Sequence, residues 1–236
     1  GTTDIQGTVI NSGTITQTGV TINSGSLTTN AGDVTGDITN NAANGLVLTG
    51  GTNANDIDGT GSTKIDTTGT VTNTDAISQA VNVTAGEFYN TTGGSVTGLL
   101  TVDNGTTATI DAGSFANVTN NGTFEMQGGS VTGTYSQTLT TAETDINSGA
   151  TLTLTGTSAI TNGSVVLGET TGNTAGTLVV NNGLATNSAV ITNVGTGASG
   201  LTVLGGSTFA TQAGSNITSG AVVTLGGATA GTLQHN

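Results

Sequence analysis

The sequence predicts an all-β chain wound as a single-stranded parallel β-helix, a β-solenoid with about twenty residues per coil. Three observations predict it. Short runs of Val, Ile and Thr alternate with Asn-Gly, Ala-Gly and Gln-Gly-Gly breaks, which is strand composition punctuated by turn residues. An apolar-Asn-small-Gly-hydroxyl-apolar corner recurs along the chain, and Gly followed by Ser or Thr returns at Gly94, Gly113, Gly133, Gly156 and Gly176, an interval of about twenty residues. Pro is absent, as long hydrogen-bonded ladders require of their interior positions.

The N-terminal part carries two corners, Val9-Ile10-Asn11-Ser12-Gly13-Thr14-Ile15 and Ile22-Asn23-Ser24-Gly25-Ser26-Leu27. Asn and Gly tolerate left-handed backbone, so each copy reads as strand, corner, strand. The stretch from Asn53 to Thr63 (NANDIDGTGST) has Ile57 as its single large apolar residue and reads as a protruding loop over 53–63. Asp75–Ala80 could form one helical turn, and Glu87–Thr92, with Phe88 beside Tyr89, follows no obvious period. Between the GGSVTG copies at Gly93–Gly98 and Gly128–Gly133 lie four strand-like runs: Leu99–Val102, Thr107–Ile110, Phe115–Thr119 and Thr123–Met126. The corner returns at Val118–Phe124, at Ile146–Gly149 and at Val180–Leu184. Gly interrupts every window of helical length, and no apolar pattern of helical period is sustained. No composition break marks a boundary, so 1–236 reads as a single elongated solenoid, a segment of a longer repeat protein.

One coil cannot bury its own inward residues, whereas stacked coils can. Inward Val, Ile, Leu and Phe would form columns, and Asn at repeated corners would add ladders of stacked amides.

Composition narrows function. The chain has 236 residues, 40 Gly, no Cys, and a formal net charge of −13 with Lys64 its only Lys or Arg. Plentiful β-branched residues and sparse charge argue against disorder. Phosphate binding needs clustered cations, so nucleic acid is excluded as a partner, and anionic membranes with it. No apolar run approaches the ~20 residues of a membrane helix, so no membrane insertion of this segment is expected. The chain begins at Gly1 rather than Met and is read as a processed or excised piece.

The corner segments Val9–Ile15, Ile22–Leu27, Val118–Phe124, Ile146–Leu154 and Val180–Leu184 resemble passenger domains of bacterial autotransporters and filamentous-haemagglutinin-type adhesins. The resemblance implies a right-handed parallel β-helix on the outside of a Gram-negative cell, used for adhesion, self-association or biofilm formation. It carries no Arg-Gly-Asp tripeptide and no serine-protease module.

Candidate chemistry follows from the carboxylates. Asp56/Asp58, Asp33/Asp37, Asp103/Asp111 and Glu143/Asp145 are close enough in sequence to act as acid and base, but one cation and a lone His235 offer little charge stabilisation. Asn55-Asp56-Ile57-Asp58-Gly59 places oxygen ligands at alternate positions before a Gly, so Asp56 and Asp58 are the calcium candidates, without the bidentate Glu of a full calcium loop. Thr-x-Thr pairs at Thr14/Thr16, Thr107/Thr109, Thr138/Thr140 and Thr151/Thr153/Thr155 could build an ice-binding face, although alternating Thr is also ordinary strand surface. The expected function is a non-catalytic extracellular rod of a bacterial surface that mediates adhesion or cell–cell association. Its partners would be host or bacterial surface glycans or proteins, or copies of itself, with no cofactor beyond the calcium candidate. The alternatives are a self-assembling subunit of an extracellular filament or surface layer, and a polysaccharide-active β-helix enzyme.

Overall fold

The chain was analysed as a computed structural model. It describes residues 1–147, 149–155, 157–168 and 176–181, and then the strands 184–187, 190–193, 200–203, 208–211, 222–225 and 232–235. The residues fall into two compact units, Gly1–Ala116 and Asn117–Asn236. Each is a parallel β-solenoid, and in the first the coils recur about 19 residues apart.

In the first unit the in-register ladder builds interior columns. One runs Val20, Ile38, Ile57, Ile77, Val96. A second runs Leu48, Ile65, Val83, Val102. Each of these side chains is at most 1% exposed. The third face carries Val71, Phe88 and Ala108 in register, and Phe88 stacks on Phe115 with ring centroids 6.1 Å apart. Strands alternate half-buried and buried positions, as along Ser26–Thr29, where Leu27 and Thr29 are buried, because side chains on a strand point alternately inward and outward.

The corners differ from the sequence expectation in an informative way. Among the described residues Asn44 is the only non-Gly residue with positive φ, so Asn11, Asn23 and Asn120 do not supply left-handed backbone. Their side chains do the corner's work: Asn11 Oδ1 accepts from the Gly13 N–H at 3.3 Å and Asn120 Oδ1 from the Gly122 N–H at 3.1 Å. Left-handed backbone falls to Gly, as at Gly113 (φ 80°), where a Cβ would run into the Gly94 carbonyl of the coil below.

The residues 53–63 are not a protruding loop. Ile57 and Thr63 are fully buried, Asn53 is 1% exposed, and Ile57 is laddered to both Ile38 and Ile77. The polar residues face inward because their amides are paired. Asn53 Nδ2 donates to Asn73 Oδ1, and Asn73 Nδ2 donates to Asn90 Oδ1, each at 2.9 Å. Asn90 Nδ2 closes the ladder on the Ala112 carbonyl at 2.7 Å. Asp75–Ala80 forms no helical turn: Ala76–Ile77 and Ala80–Asn90 are strands. Glu87–Asn90 does follow the strand period, since Ala80–Asn90 places Phe88 inward and Tyr89 outward. The one helical turn among the described residues is Ala31–Asp33, capped by Asn30, whose side chain accepts from the Gly32 N–H.

The second unit repeats the plan with less regular coils. Val118 lies opposite Tyr135, Phe124 opposite Thr144 and Ile146 opposite Leu167. Phe124 packs edge-on against Tyr135 at 5.4 Å. The buried amide cluster is mixed here: Asn120 Nδ2 donates to Gln137 Oε1 at 3.0 Å and to Tyr135 Oη at 3.1 Å. Further on the coils lengthen, with Thr151 opposite Thr177 and Thr155 opposite Asn181. Gly176 packs against Ile146 and Gly168, and Gly156 lies outside the described residues, as do Asn182 and Gly183 of the last corner.

Two predictions follow from the ladders and corners. Asn73→Ala leaves the Asn53 amide N–H and the Asn90 Oδ1 without partners inside the first unit. At about 1–3 kcal/mol per orphaned buried group, it should lower the urea unfolding midpoint markedly, while a change at exposed Thr70 should not. Gly113→Ala forces an L-residue into left-handed backbone against a carbonyl and should cost about 2 kcal/mol or more. Unchanged midpoints in equilibrium denaturation would contradict either assignment.

Candidate functional site

Outward residues one coil apart become neighbours at about 4.8 Å, so any polar side chain that recurs with the coil period forms a surface column. Three such arrangements carry the chemistry.

The first surrounds Tyr89, which is partly exposed, whereas Phe88, Phe115, Phe124 and Tyr135 are fully buried. It sits on the outer face with Thr72 on one side and Thr109 on the other, and Thr52 follows beyond Thr72. Glu87 lies two residues away on the same face. Its carboxylate accepts from Thr70 Oγ1 at 2.8 Å and from Thr109 Oγ1 at 2.9 Å. The result is an aromatic ring and a fixed carboxylate beside the accessible threonines Thr52, Thr70 and Thr72, with Thr109 buried beneath the carboxylate's other oxygen. Glu87 and Tyr89 also break the Thr70/Thr72 and Thr107/Thr109 pairs apart, so these threonines do not form the continuous array that an ice-binding face would need.

The second arrangement contains the calcium candidates. Asp56 and Asp58 flank the inward Ile57 and both face solvent. Asp58 pairs in register with Thr39, whereas the neighbours of Asp56 are the carboxylates of Asp75 and Asp37. The charge of Asp75 raises the Asp56 carboxyl above its ordinary range, and lost hydration, a hydrogen bond with Asp75 and the charge of Asp37 add to the effect. Asn55 does not join them as an oxygen donor: it is buried and committed, its Oδ1 accepting from the Gly36 N–H at 3.0 Å and its Nδ2 donating to the Val34 carbonyl at 2.9 Å. Among the described residues no three His, Cys, Asp or Glu side chains converge as a metal-binding group.

The third lies in the second unit, where Glu143 and Asp145 share the outer face of one strand. Glu125 is directly opposite Asp145 on the neighbouring strand, and Val166 is opposite on the other side. Glu143 Oε2 accepts from Ser164 Oγ at 3.0 Å; Glu125 Oε1 accepts from Gln127 Nε2 at 2.8 Å. Asp145 is pushed up to about 7, by partial burial first and then by the charges of Glu143 and Glu125. The sequence reading singled out Glu143/Asp145 but missed Glu125, because only the ladder register brings residue 125 beside residue 145.

The remaining candidates stay apart. Asp103 and Asp111 begin different corners, their N–H groups bonded to Val83 and Asn90 carbonyls respectively. Asp33 belongs to the Ala31–Asp33 turn, away from the strand residue Asp37. Lys64 is bonded to Asp66 at 2.6 Å on the surface. The side chain of His235 lies outside the described residues. No helix among the described residues is long and apolar enough to cross a membrane. Comparison of the chain with known protein families, with curated proteins and with solved structures finds no match.

Asp145 sets a pH dependence with a definite sign. Its folded-state carboxyl holds a proton up to about pH 7, against an ordinary value of 3.8, so the folded chain binds more protons than the unfolded chain between these values. Stability therefore falls as pH rises through that window. The urea midpoint of the wild type should drop from pH 5 to pH 8 by more than that of Asp145→Asn; equal drops would contradict the assignment.

Proposed function

We propose that this chain is a non-catalytic structural and adhesive element of a bacterial surface, extracellular, in the manner of the autotransporter passengers and filamentous-haemagglutinin-type adhesins its corners resemble. Its partner surface is the Glu87–Tyr89 face of the first unit. The observation that carries the reading is the partly exposed ring of Tyr89 beside a carboxylate held by two threonine hydroxyls. An aromatic face accepts the apolar side of a sugar ring, and fixed carboxylate and hydroxyl oxygens accept and donate to its hydroxyl groups. A net charge of −13 repels anionic ligands, so the glycan is a neutral one. The non-catalytic part of the reading rests on composition: with Lys64 the sole Lys or Arg and bonded to Asp66, the carboxylate pairs have no basic partner to stabilise a developing negative charge.

Binding to an array of immobilised neutral and sialylated glycans tests this. Neutral glycans should be retained and sialylated ones not, and Tyr89→Ala should weaken retention by about tenfold or more, the scale of losing an interface anchor. Retention that Tyr89→Ala leaves intact would remove this face from the function. Filaments of the purified chain in electron micrographs, without glycan retention, would make copies of the chain itself the partner.

A further inference from the structure

The outer face of the second unit carries an electrostatic imbalance that no Lys or Arg answers. Glu125 and Asp145 stand side by side across a parallel ladder, and Glu143 is two residues from Asp145 on the same face. Two like charges at strand spacing repel strongly where water is partly excluded. The chain's only Lys or Arg, Lys64, is bonded to Asp66.

The second observation is independent of charge. Asp145 Oδ1 and Asn147 Oδ1 are both buried and neither has a hydrogen-bond donor. Asn147 is only 6% exposed. Its Nδ2 donates to Glu125 Oε1 at 3.4 Å, which fixes the amide against the carboxylates. Buried acceptors are almost always paired, and each orphan is costly. Two of them, two residues apart at the end of the same strand and beside surplus carboxylates, call for one positive partner.

We infer that Asp145 Oδ1 and Asn147 Oδ1, with Glu125 beside them, form a binding site for a hard divalent cation of the calcium class. All the donors are oxygens, the set that calcium and magnesium prefer. The Asn147 amide oxygen takes the place that a third carboxylate would fill, and water and backbone carbonyls complete a coordination shell of six or more. Asp145-Ile146-Asn147 is the same alternate-oxygen pattern as Asp56-Ile57-Asp58, but here an Asn oxygen is left unbonded, whereas in the first unit the oxygen of Asn55 is taken by Gly36. The site goes beyond the proposed adhesive function and lies in a different unit from the Glu87–Tyr89 face.

Calcium titration of the full chain at pH 8, after treatment with a chelator, tests the site by calorimetry and by thermal unfolding. Calcium should bind saturably with one strong site and raise an unfolding midpoint in the same concentration range. Asp145→Asn should weaken binding about tenfold or more, and Asn147→Leu should abolish the midpoint shift, whereas Asp56→Asn should leave both unchanged. Calorimetry on the wild type keeps the test decisive even if a variant fails to fold. The inference is overturned if no saturable binding is seen, if Asp145→Asn binds as the wild type does, or if Asp56→Asn is the variant that loses binding. It is equally overturned if acidification alone stabilises the chain and calcium does not, which would assign a proton, shared between Asp145 and Asn147, to the two oxygens.

Discussion

Parallel stacking in register is the constraint from which the other features of each unit descend. A coil of this composition has too few apolar side chains to enclose a core, and its strands have unpaired edges on both sides. Laying Ile57 between Ile38 and Ile77 solves both problems together, since the same register that pairs the backbone groups also brings the β-branched side chains into one column. A slip of one residue would turn every inward side chain outward. The column therefore fixes the register, and the register in turn decides which surface residues become neighbours.

At the corners the interior cannot be purely apolar, because the chain must bend and some carbonyls lose their ladder partners. Asn meets this need in a way few side chains can. It carries a donor and an acceptor on one short, planar group, so an amide can receive from the coil on one side and give to the coil on the other without limit. Asn73 and Asn90 do so at full burial, and buried Asn53 begins the series by donating to Asn73. Where coil length varies, the repeat cannot be uniform, and the second unit substitutes a mixed cluster. There Asn120, Gln137, Tyr135 and Thr144 bond one another, and burial drives the Tyr135 hydroxyl well above its ordinary range.

The coil interval, the strand-like runs and even the amide ladders were legible in the sequence because they repeat. What was not legible depends on pairing between coils. Asn53, Asn55 and Thr63 look like solvent residues by their own polarity, and only the partners contributed by residues 34, 36, 73 and 79 make them interior. Phe88 beside Tyr89 seemed aperiodic because one faces in and the other out. The partial burial of Asp145 was hidden for the same reason: it depends on Val166 and Glu125, each about a coil away in sequence.

The two acidic arrangements show why the environment of a charge matters more than its count. Asp37, Asp56 and Asp75 repeat with the coil period and face solvent, where water and salt screen their repulsion and a shared hydrogen bond relieves what remains. Glu125 and Asp145 are also neighbours across coils, directly opposite in register, but Asp145 is partly withdrawn from water and its Oδ1 is enclosed without a donor. Carboxylates stacked between coils thus yield a tolerable surface in one unit and an unbalanced one in the other. The difference lies in solvation, and a solenoid amplifies it, because each coil can only offer its neighbours what the period places there. The proposed cation would supply Asp145 Oδ1 with the partner that its neighbouring coils do not.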